Sequence, residues 1–345
     1  MPDGMLVPNR KGWNAMLQLK HLFDNRALAT TLLGHWDWDQ SRPEALDRFR
    51  ISANAVYPFF SSGGALCFLR FAPVEEKDPA ETQAELAFLK WLADGGVAVA
   101  LPVPARDGRT LVVADTPWGR YAAAVFAGAP GSRMDWLSDC MPFMEGYGRA
   151  LARLHRRSAA LPAPTGRPDW RQRLDWCEAV LQAHHCPAEA LHEVALLREW
   201  LAALPTTPDT YGMIHGDYEL DNVLFDEAAG VYTVIDFDDC TMHWYEMDVC
   251  QTLDNLAEEL PEEQQAVAAA AFLAGYRAEW PLADGWEGRQ AGFRRYGALL
   301  GYTRIVHSLA GAPDDRPDWM VGLIGHLNVL KEERAAVFSQ PLPPG

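Results

Sequence analysis

Oxygen-bearing side chains recur at close spacing in one stretch of the 345-residue chain. Asp217 follows His215 and Gly216, Asn222 comes five positions after it, and Asp236 lies further along, behind an apolar run. Carboxylate and amide oxygens are hard ligands that suit magnesium, and a carboxylate is also a base. If the fold brings them together, these side chains suit a reaction on a phosphate compound.

A predicted β-hairpin would bring these side chains together. Two apolar runs, at residues 223–225 and 231–235, flank a polar segment that ends in a glycine. This pattern is typical of two short strands joined by a turn. Since Asp217 and Asn222 precede the first strand and Asp236 follows the second, we expect all three at one end of the hairpin.

The spacing resembles that of the protein kinases, in which a catalytic Asp and a metal-binding Asn precede a D-F-G motif. Here the two motifs read HGDYELDN at residues 215–222 and DFD at residues 236–238. With Gly216 in the place of an Arg, the chain is similar to the aminoglycoside phosphotransferase and choline kinase family of small-molecule kinases. The coupling of the two motifs favours this interpretation over an ordinary hairpin with acidic turns.

The resemblance implies an α+β, two-lobed, protein-kinase-like fold. Residues 1–128 would form a nucleotide-binding lobe with an antiparallel sheet, one helix and an N-terminal helical extension. Residues 129–345 would form a larger, mainly helical lobe that holds the catalytic and substrate-binding site. The patterns predict strands at 50–60, 65–71, 97–103, 111–114 and 121–126, and helices that include 22–33 and 136–157.

The same resemblance implies nucleotide-binding roles in the N-terminal lobe. Arg70 lies where protein kinases carry a phosphate-binding Lys, and a guanidinium can hold phosphate oxygens in bidentate fashion. Glu85 would pair with Arg70 from a helix that Asp78 and Pro79 are suited to begin. No G-x-G-x-x-G motif is present. The other nucleotide-binding candidates are small loop residues and hinge backbone groups: Ser52, Asn54, Phe126, Ala127 and Gly128.

In the catalytic stretch, the resemblance implies that Asp217 accepts or orients the proton of a hydroxyl group. Asn222 and Asp236 would hold Mg²⁺ against the phosphates of ATP. Further candidates are Glu219, Asp221 and Asp238 for substrate contact, and His215 and Asp248 for structural support of the loop.

The net charge of −17 argues against nucleic acid or anionic membranes as partners. Residues 1–130 hold 14 acidic and 13 basic residues, whereas the remainder holds 33 acidic and 17 basic residues. The acidic excess therefore accompanies the catalytic stretch, where it would attract a cationic substrate. Solubility is the alternative explanation. Three aromatic residues are candidates for cation contact, with core packing as the alternative: Trp244, Tyr245 and Trp286.

Cysteine usage and hydropathy indicate a cytoplasmic protein. No apolar run reaches the length of a membrane span, and the N-terminal residues lack the pattern of a signal peptide. The six cysteines show no CxxC spacing, so we expect them to be reduced and mostly buried. The oligomeric state is left open.

We therefore expect an ATP-dependent kinase that transfers the γ-phosphate to a hydroxyl of an amine-bearing small molecule. The candidate acceptors are an aminoglycoside, a choline-like compound, homoserine and an amino alcohol, and GTP stays open as the donor. An atypical protein kinase is one alternative, although the short segment between Asp236 and Asp248 leaves little room for an activation loop. A non-catalytic or weakly active nucleotide-binding homologue is another, because Arg70 replaces Lys and the glycine loop is missing.

Overall fold

An antiparallel sheet forms the N-terminal part of the protein. The structure is a computed structural model that describes residues 17–137, 139–162 and 165–342. Neighbouring strands run in the order β1-β2-β3-β6-β4, and β5 also pairs with β6. The strands are β1 (Arg50–Ile51), β2 (Ala55–Phe60), β3 (Leu66–Pro73), β4 (Pro102–Val103), β5 (Val112–Thr116) and β6 (Gly119–Ala127). The sheet and the helices below confirm the predicted α+β class, while a lobe boundary at residue 128 stays a prediction.

Two helices accompany this sheet, α1 (Arg26–Leu33) and α2 (Pro79–Asp94). The Asp78 side chain accepts a hydrogen bond from the Ala80 N–H at 2.8 Å, and a proline at the first helical position needs no such bond. The predicted start of α2 is therefore confirmed. The helix buries Glu85 together with its leucine face, which places that carboxylate next to the sheet.

The C-terminal part is mainly helical. Its helices are α3 (Met144–Ser158), α4 (Trp170–Ala183), α5 (Ala188–Ala203), α6 (Tyr245–Glu259), α7 (Glu262–Glu279), α8 (Trp286–Ala310) and α9 (Asp318–Ala335). Its strands are β7 (Ser132–Arg133), β8 (Tyr211–Ile214), β9 (Val223–Asp226), β10 (Val231–Val234) and β11 (Thr241–Trp244). They form two small sheets, β10-β9-β7 and β11-β8, which carry the catalytic stretch between them.

The predicted hairpin is present as β9 and β10. Val231 pairs with Asp226 and Val234 pairs with Val223 in antiparallel register. The pairing continues one step further, because the Ile235 N–H donates to the Asn222 carbonyl at 2.9 Å. The residue after Ile235 is therefore held beside Asn222, as the sequence predicts.

Several predicted element bounds are wrong. The strand at 50–60 is interrupted, because the Ser52 N–H turns back to the Asn54 carbonyl at 3.0 Å. Of residues 97–103, β4 includes only the last two. The helix predicted at 136–157 begins at Met144, after two short 3-10 turns, the second of which contains a proline. The helix predicted at 22–33 begins at Arg26, whose N–H donates to the Asp24 carboxylate.

Burial answers two of the questions that the sequence leaves open. The three aromatic candidates for cation contact are core residues, with exposed fractions of 2%, 2% and 4% for Trp244, Tyr245 and Trp286. All six cysteines are free and five are buried, the exception being the partly buried Cys186. Among the described residues, no helix is long and apolar enough to cross a membrane.

Candidate active site

Asn222 and Asp217 are joined directly. The Asn222 Nδ2 atom lies 3.0 Å from Asp217 Oδ2 and 2.9 Å from the Asp217 carbonyl oxygen. Asn222 is buried, and a short 3-10 turn at 220–222 precedes β9 and sets its direction. Because the amide nitrogen donates to Asp217, the amide oxygen is the atom that can coordinate a cation.

Asp236 lies beside this pair in an unusual backbone conformation. Its φ of 60° and ψ of 65° are in the left-handed region, which residues other than glycine rarely adopt. Such strain is frequent at functional sites. The carboxylate is half exposed, and Asp236 Oδ1 lies 3.7 Å from Arg70 Nη1 of β3.

His215 and Asp248 hold the loop that carries Asp217. His215 Nε2 lies 2.9 Å from the Ile235 carbonyl and therefore donates to it, while Nδ1 accepts from the Asp217 N–H at 3.2 Å. The Asp248 carboxylate accepts from the N–H groups of His215 and Gly216 at 2.7 and 2.8 Å. These contacts are structural ones, in line with the support expected of both residues.

Gly216 permits a close approach that no other residue allows. Its φ is +83°, and a Cβ atom built at this position would lie 2.4 Å from the Asp239 carbonyl oxygen. The glycine of the H-G-D motif therefore lets the catalytic loop pack against the segment after Asp236.

The carboxylates of this site fit a bound cation. Burial, followed by repulsion from Glu219 and other carboxylates, raises the pKa of Asp217 well above its usual range. Burial raises the pKa of Asp236 to about 6, although the positive charge of Arg70 opposes the shift. Carboxylates that repel one another are stabilised by a cation between them. The oxygen donors of Asn222 and Asp236 suit a magnesium ion.

Arg70 and Glu85 form the predicted ion pair. Arg70 Nη2 donates to Glu85 Oε2 at 2.6 Å, and both side chains are buried. The guanidinium also lies over the ring of Phe126, at 4.7 Å from its centroid. Glu85 Oε1 has no hydrogen-bond partner in the described part of the chain, so this buried oxygen can still receive one.

Contacts of the hinge backbone with an adenine ring stay a prediction, although two hinge N–H groups have partners within the protein. The Ala127 N–H donates to the Leu101 carbonyl and the Gly128 N–H donates to the Leu66 carbonyl, at 3.1 and 2.9 Å. These two donors are therefore used within the protein rather than offered to an adenine ring. Phe126 contacts the site through its side chain instead.

The loop that replaces the glycine-rich loop is a tight turn between β1 and β2. The Ser52 N–H bonds to the Asn54 carbonyl, and the Ser52 carbonyl accepts from the Leu17 N–H. Asn54 is buried and Ser52 is partly exposed. Of this turn, Ala53 borders the large cleft described below, so phosphate binding by Ser52 and Asn54 stays a prediction.

The three candidates for substrate contact have different surroundings. Asp238 pairs with Lys77, and although burial opposes the shift, Lys77 and Arg70 lower the pKa of Asp238. Asp221 lies 3.3 Å from Arg133 Nη2 and 3.9 Å from Arg50 Nη1, so its charge is already paired within the protein. Glu219 is partly buried beside Asp217, and its contact with a substrate stays a prediction.

A cleft of about 570 Å³ opens next to the D-F-D segment. It is bordered by the β3–α2 loop, the start of α2, the loop before α4, and α8. Its wall carries both signs of charge: Glu75, Glu76, Asp78, Glu81, Asp238 and Asp239 are acidic, and Lys77, Arg167, Arg173 and Arg304 are basic. The expectation of an acidic surface is therefore too simple for this cleft.

Sequence reasoning missed several cations around the site. Arg304 of α8 makes a bidentate ion pair with Asp239, with Nη1 donating to Oδ2 at 3.0 Å and Nη2 donating to Oδ1 at 2.5 Å. Arg50 has a buried Nε atom without a hydrogen-bond partner among the described residues. Lys77, from the loop between β3 and α2, pairs with Asp238. No local motif marks these residues, because their partners are distant in the chain.

Comparisons with known proteins agree with this geometry. A model of the phosphotransferase enzyme family (APH) matches residues 59–287. The amicoumacin kinase of Bacillus subtilis (strain 168) is 28% identical over 214 residues, covering 59% of this chain and 62% of that protein. A homoserine kinase of Caulobacter sp. (strain K31) is 31% identical over 214 residues, covering 57% and 60%. The chain thus spans less than two thirds of the length of these relatives.

Solved structures extend the likeness to most of the chain. An amicoumacin kinase in complex with AMP-PNP, Ca²⁺ and Ami has a TM-score of 0.72 at 22% identity, covering 93% of this chain and 96% of that one. A microcompartment-associated aminopropanol kinase has a TM-score of 0.62 at 25% identity, covering 89% and 96%. The kinase-like fold and the resemblance to the aminoglycoside phosphotransferases are confirmed, and the chain belongs to the phosphotransferase enzyme family.

Proposed function

We propose that the protein is an ATP-dependent kinase that transfers the γ-phosphate to a hydroxyl group of an amine-bearing small molecule. One observation carries this proposal. The β9–β10 hairpin holds Asp217 and Asn222 within 3.0 Å of each other and sets Asp236 beside them, opposite the Arg70–Glu85 pair. A base, a pair of metal ligands and a phosphate-binding cation on the facing sheet are the parts that phosphoryl transfer to an alcohol needs.

Each residue has a distinct part in the proposed reaction. Asp217 would accept the proton of the acceptor hydroxyl. Arg70, oriented by Glu85, would neutralise phosphate charge. Asn222 and Asp236 would hold Mg²⁺. A bound magnesium ion supplies charge stabilisation to the phosphates.

The charged cleft suggests the class of acceptor. Its acidic residues suit an ammonium group of the substrate, and its arginines suit a carboxylate or another hydrogen-bond acceptor of the substrate. Among the expected acceptors, which are an aminoglycoside, a choline-like compound, homoserine and an amino alcohol, this wall favours one that carries both charges. The names of the amicoumacin, homoserine and aminopropanol kinases support an amine-bearing hydroxyl acceptor, and homoserine is the one among the expected acceptors that carries both charges.

The two alternatives have less support. An atypical protein kinase would need a peptide-binding activation segment, but residues 237–244 form a 3-10 turn and the strand β11, and α6 follows at once. A non-catalytic homologue would be expected to lose part of the catalytic set, yet Asp217, Asn222 and Asp236 are all present and adjacent.

The experiment is an ADP-release assay on a panel of alcohols, with Asp217→Asn beside the wild type. We expect Mg²⁺-dependent turnover with at least one amine-bearing alcohol, and a loss of kcat of about 10²- to 10⁴-fold in Asp217→Asn. ATP binding, followed by calorimetry, should persist in this variant. Glu227→Gln, at the exposed turn of the hairpin, is the control.

Two outcomes would contradict the proposal. If calorimetry detects no nucleotide binding by the wild type, the kinase assignment fails. If Asp217→Asn turns over its acceptor like the wild type, the assigned base is wrong even though the protein is a kinase.

A further inference from the structure

A cluster of metal-ligating side chains lies where three distant segments meet. His21 comes from the segment before α1, and Glu75 and Glu76 come from the loop between β3 and α2. The ligand atoms of these three residues lie within 4.8 Å of one another. None of them is among the residues proposed to bind the nucleotide, Mg²⁺ or the reacting hydroxyl, although Glu75 and Glu76 line the cleft proposed for the acceptor.

The distances in this cluster are compatible with those between the ligands of one metal ion. His21 Nε2 lies 3.3 Å from Glu75 Oε1 and 3.5 Å from Glu76 Oε1. This buried nitrogen has no hydrogen-bond partner among the described residues. Two ligands that each lie about 2.0–2.1 Å from a tetrahedral zinc ion are roughly 3.4 Å apart. We propose that His21, Glu75 and Glu76 bind a first-row divalent cation, with Zn²⁺ as the ion of best fit.

His307 of α8 completes the arrangement. Its Nε2 atom lies 2.9 Å from Glu76 Oε2, the oxygen that does not face His21. Glu76 is held by this contact with its side chain 6% exposed, so the carboxylate is oriented before a cation arrives. Such outer contacts fix ligating groups and raise metal affinity. Imidazole and carboxylate ligands together suit zinc, with one position left for water or another ligand.

Lys20 is the group that a cation must displace. Its Nζ atom lies 3.0 Å from Glu75 Oε1, and the two side chains are 45% and 62% exposed. An exposed pair of this kind contributes little free energy. A divalent ion therefore has a weak competitor at Glu75, and removing the lysine should strengthen metal binding.

The site would connect parts of the protein that are far apart in sequence. Glu75, Glu76 and His307 all border the cleft of about 570 Å³. A cation held here would tie the segment at His21 to that wall and, through His307, to α8. Metal binding should therefore stabilise the folded protein, because the unfolded chain has no such site.

The test is calorimetric titration of metal-free full-length protein with ZnCl₂. Asp236→Asn is the background for all measurements, because it removes a carboxylate with which zinc would also react. We expect one equivalent of Zn²⁺ to bind and the melting temperature to rise with zinc. Co²⁺ in place of Zn²⁺ should give the strong visible absorption of a four-coordinate ion.

Single substitutions in this background assign the ligands. His21→Ala and Glu75→Gln should each weaken Zn²⁺ binding at least tenfold. Because the Glu75 side chain is exposed, Glu75→Gln should keep the fold intact. Lys20→Gln should strengthen binding. His184→Ala, which removes an exposed histidine far along the chain, is the matched control and should leave the affinity unchanged.

Two results would overturn the inference: no zinc binding in the Asp236→Asn background, or equal affinity in Glu75→Gln, His21→Ala and the His184→Ala control. Neither result depends on finding the acceptor, so the outcome is independent of the proposed kinase activity.

Discussion

The side-chain amide of Asn222 donates from one nitrogen to both the carboxylate and the backbone carbonyl of Asp217. One residue thus restrains the proposed base and, through its oxygen, offers a ligand to the proposed metal ion. Loss of this amide should therefore affect both the position of the base and the binding of the metal ion.

Asn222→Ala should lower kcat by about 10²-fold or more, since misplacement of a catalytic group by even 1 Å is costly. The Mg²⁺ concentration for half-maximal rate should rise at the same time. Steady-state kinetics at several Mg²⁺ concentrations measure both effects. Asn328→Ala, on α9, is the control, and an unchanged Mg²⁺ requirement in Asn222→Ala would remove this residue from the metal site.

Arg70→Lys should keep the positive charge but lose the second donor nitrogen of the guanidinium and the contact of the guanidinium with Phe126. We expect a several-fold higher KM for ATP with a smaller change in kcat. Arg70→Ala should lower the free energy of unfolding by about 3–5 kcal/mol, because it leaves the buried Glu85 unpaired. Kinetics and denaturant titration measure the two effects, with Arg120→Lys at the exposed start of β6 as control. Equal KM values in Arg70→Lys and wild type would show that the charge alone suffices.

Asp248→Asn should weaken the catalytic loop. The new side chain carries an NH₂ group where the carboxylate accepts from His215 and Gly216, and bonds to charged groups contribute about 1.5–3 kcal/mol. We expect the free energy of unfolding to fall by about this amount, and kcat to fall more than KM for ATP rises. Asp254→Asn, on the same helix but in an exposed pair with Arg294, should change stability far less. If both variants behave alike, Asp248 does not brace the loop.

Buried His243 should make the protein less stable in acid. Burial lowers the pKa of His243 to about 4, whereas the unfolded chain binds the proton near pH 6.5. Between these values the unfolded state holds the extra proton, so the free energy of unfolding falls as pH decreases from about 6.5 to 4. The slope from this one group is at most about 1.4 kcal/mol per pH unit.

His243→Leu should remove this contribution and give a shallower pH dependence in denaturant titrations. His184→Leu, at an exposed position, should keep the slope of the wild type. A slope that does not change in His243→Leu would mean that other groups determine the loss of stability in acid.

The sequence predicts the part of the site that local pattern controls. The hairpin follows from two apolar runs around a turn, and its register then brings Asn222 and Asp236 together. Lys77 and Asp238 are 161 positions apart, and no periodicity indicates that they meet. Residues 97–103 are an apolar run in which Val99 forms only an isolated parallel bridge with Val234, and β4 is confined to the last two positions. The pattern does not indicate that the run is divided between two partners. Long-range ion pairs and strand partners are thus the parts that a single sequence does not determine.

Gly216 has a consequence for how the motif is compared between kinases. The space that a Cβ atom would need is taken by the Asp239 carbonyl, and the backbone is left-handed at this point. An arginine, as protein kinases carry here, would require a different path for residues 236–239. In this protein, a larger residue at position 216 could be accommodated only together with a change in the path of the segment that contains Asp239.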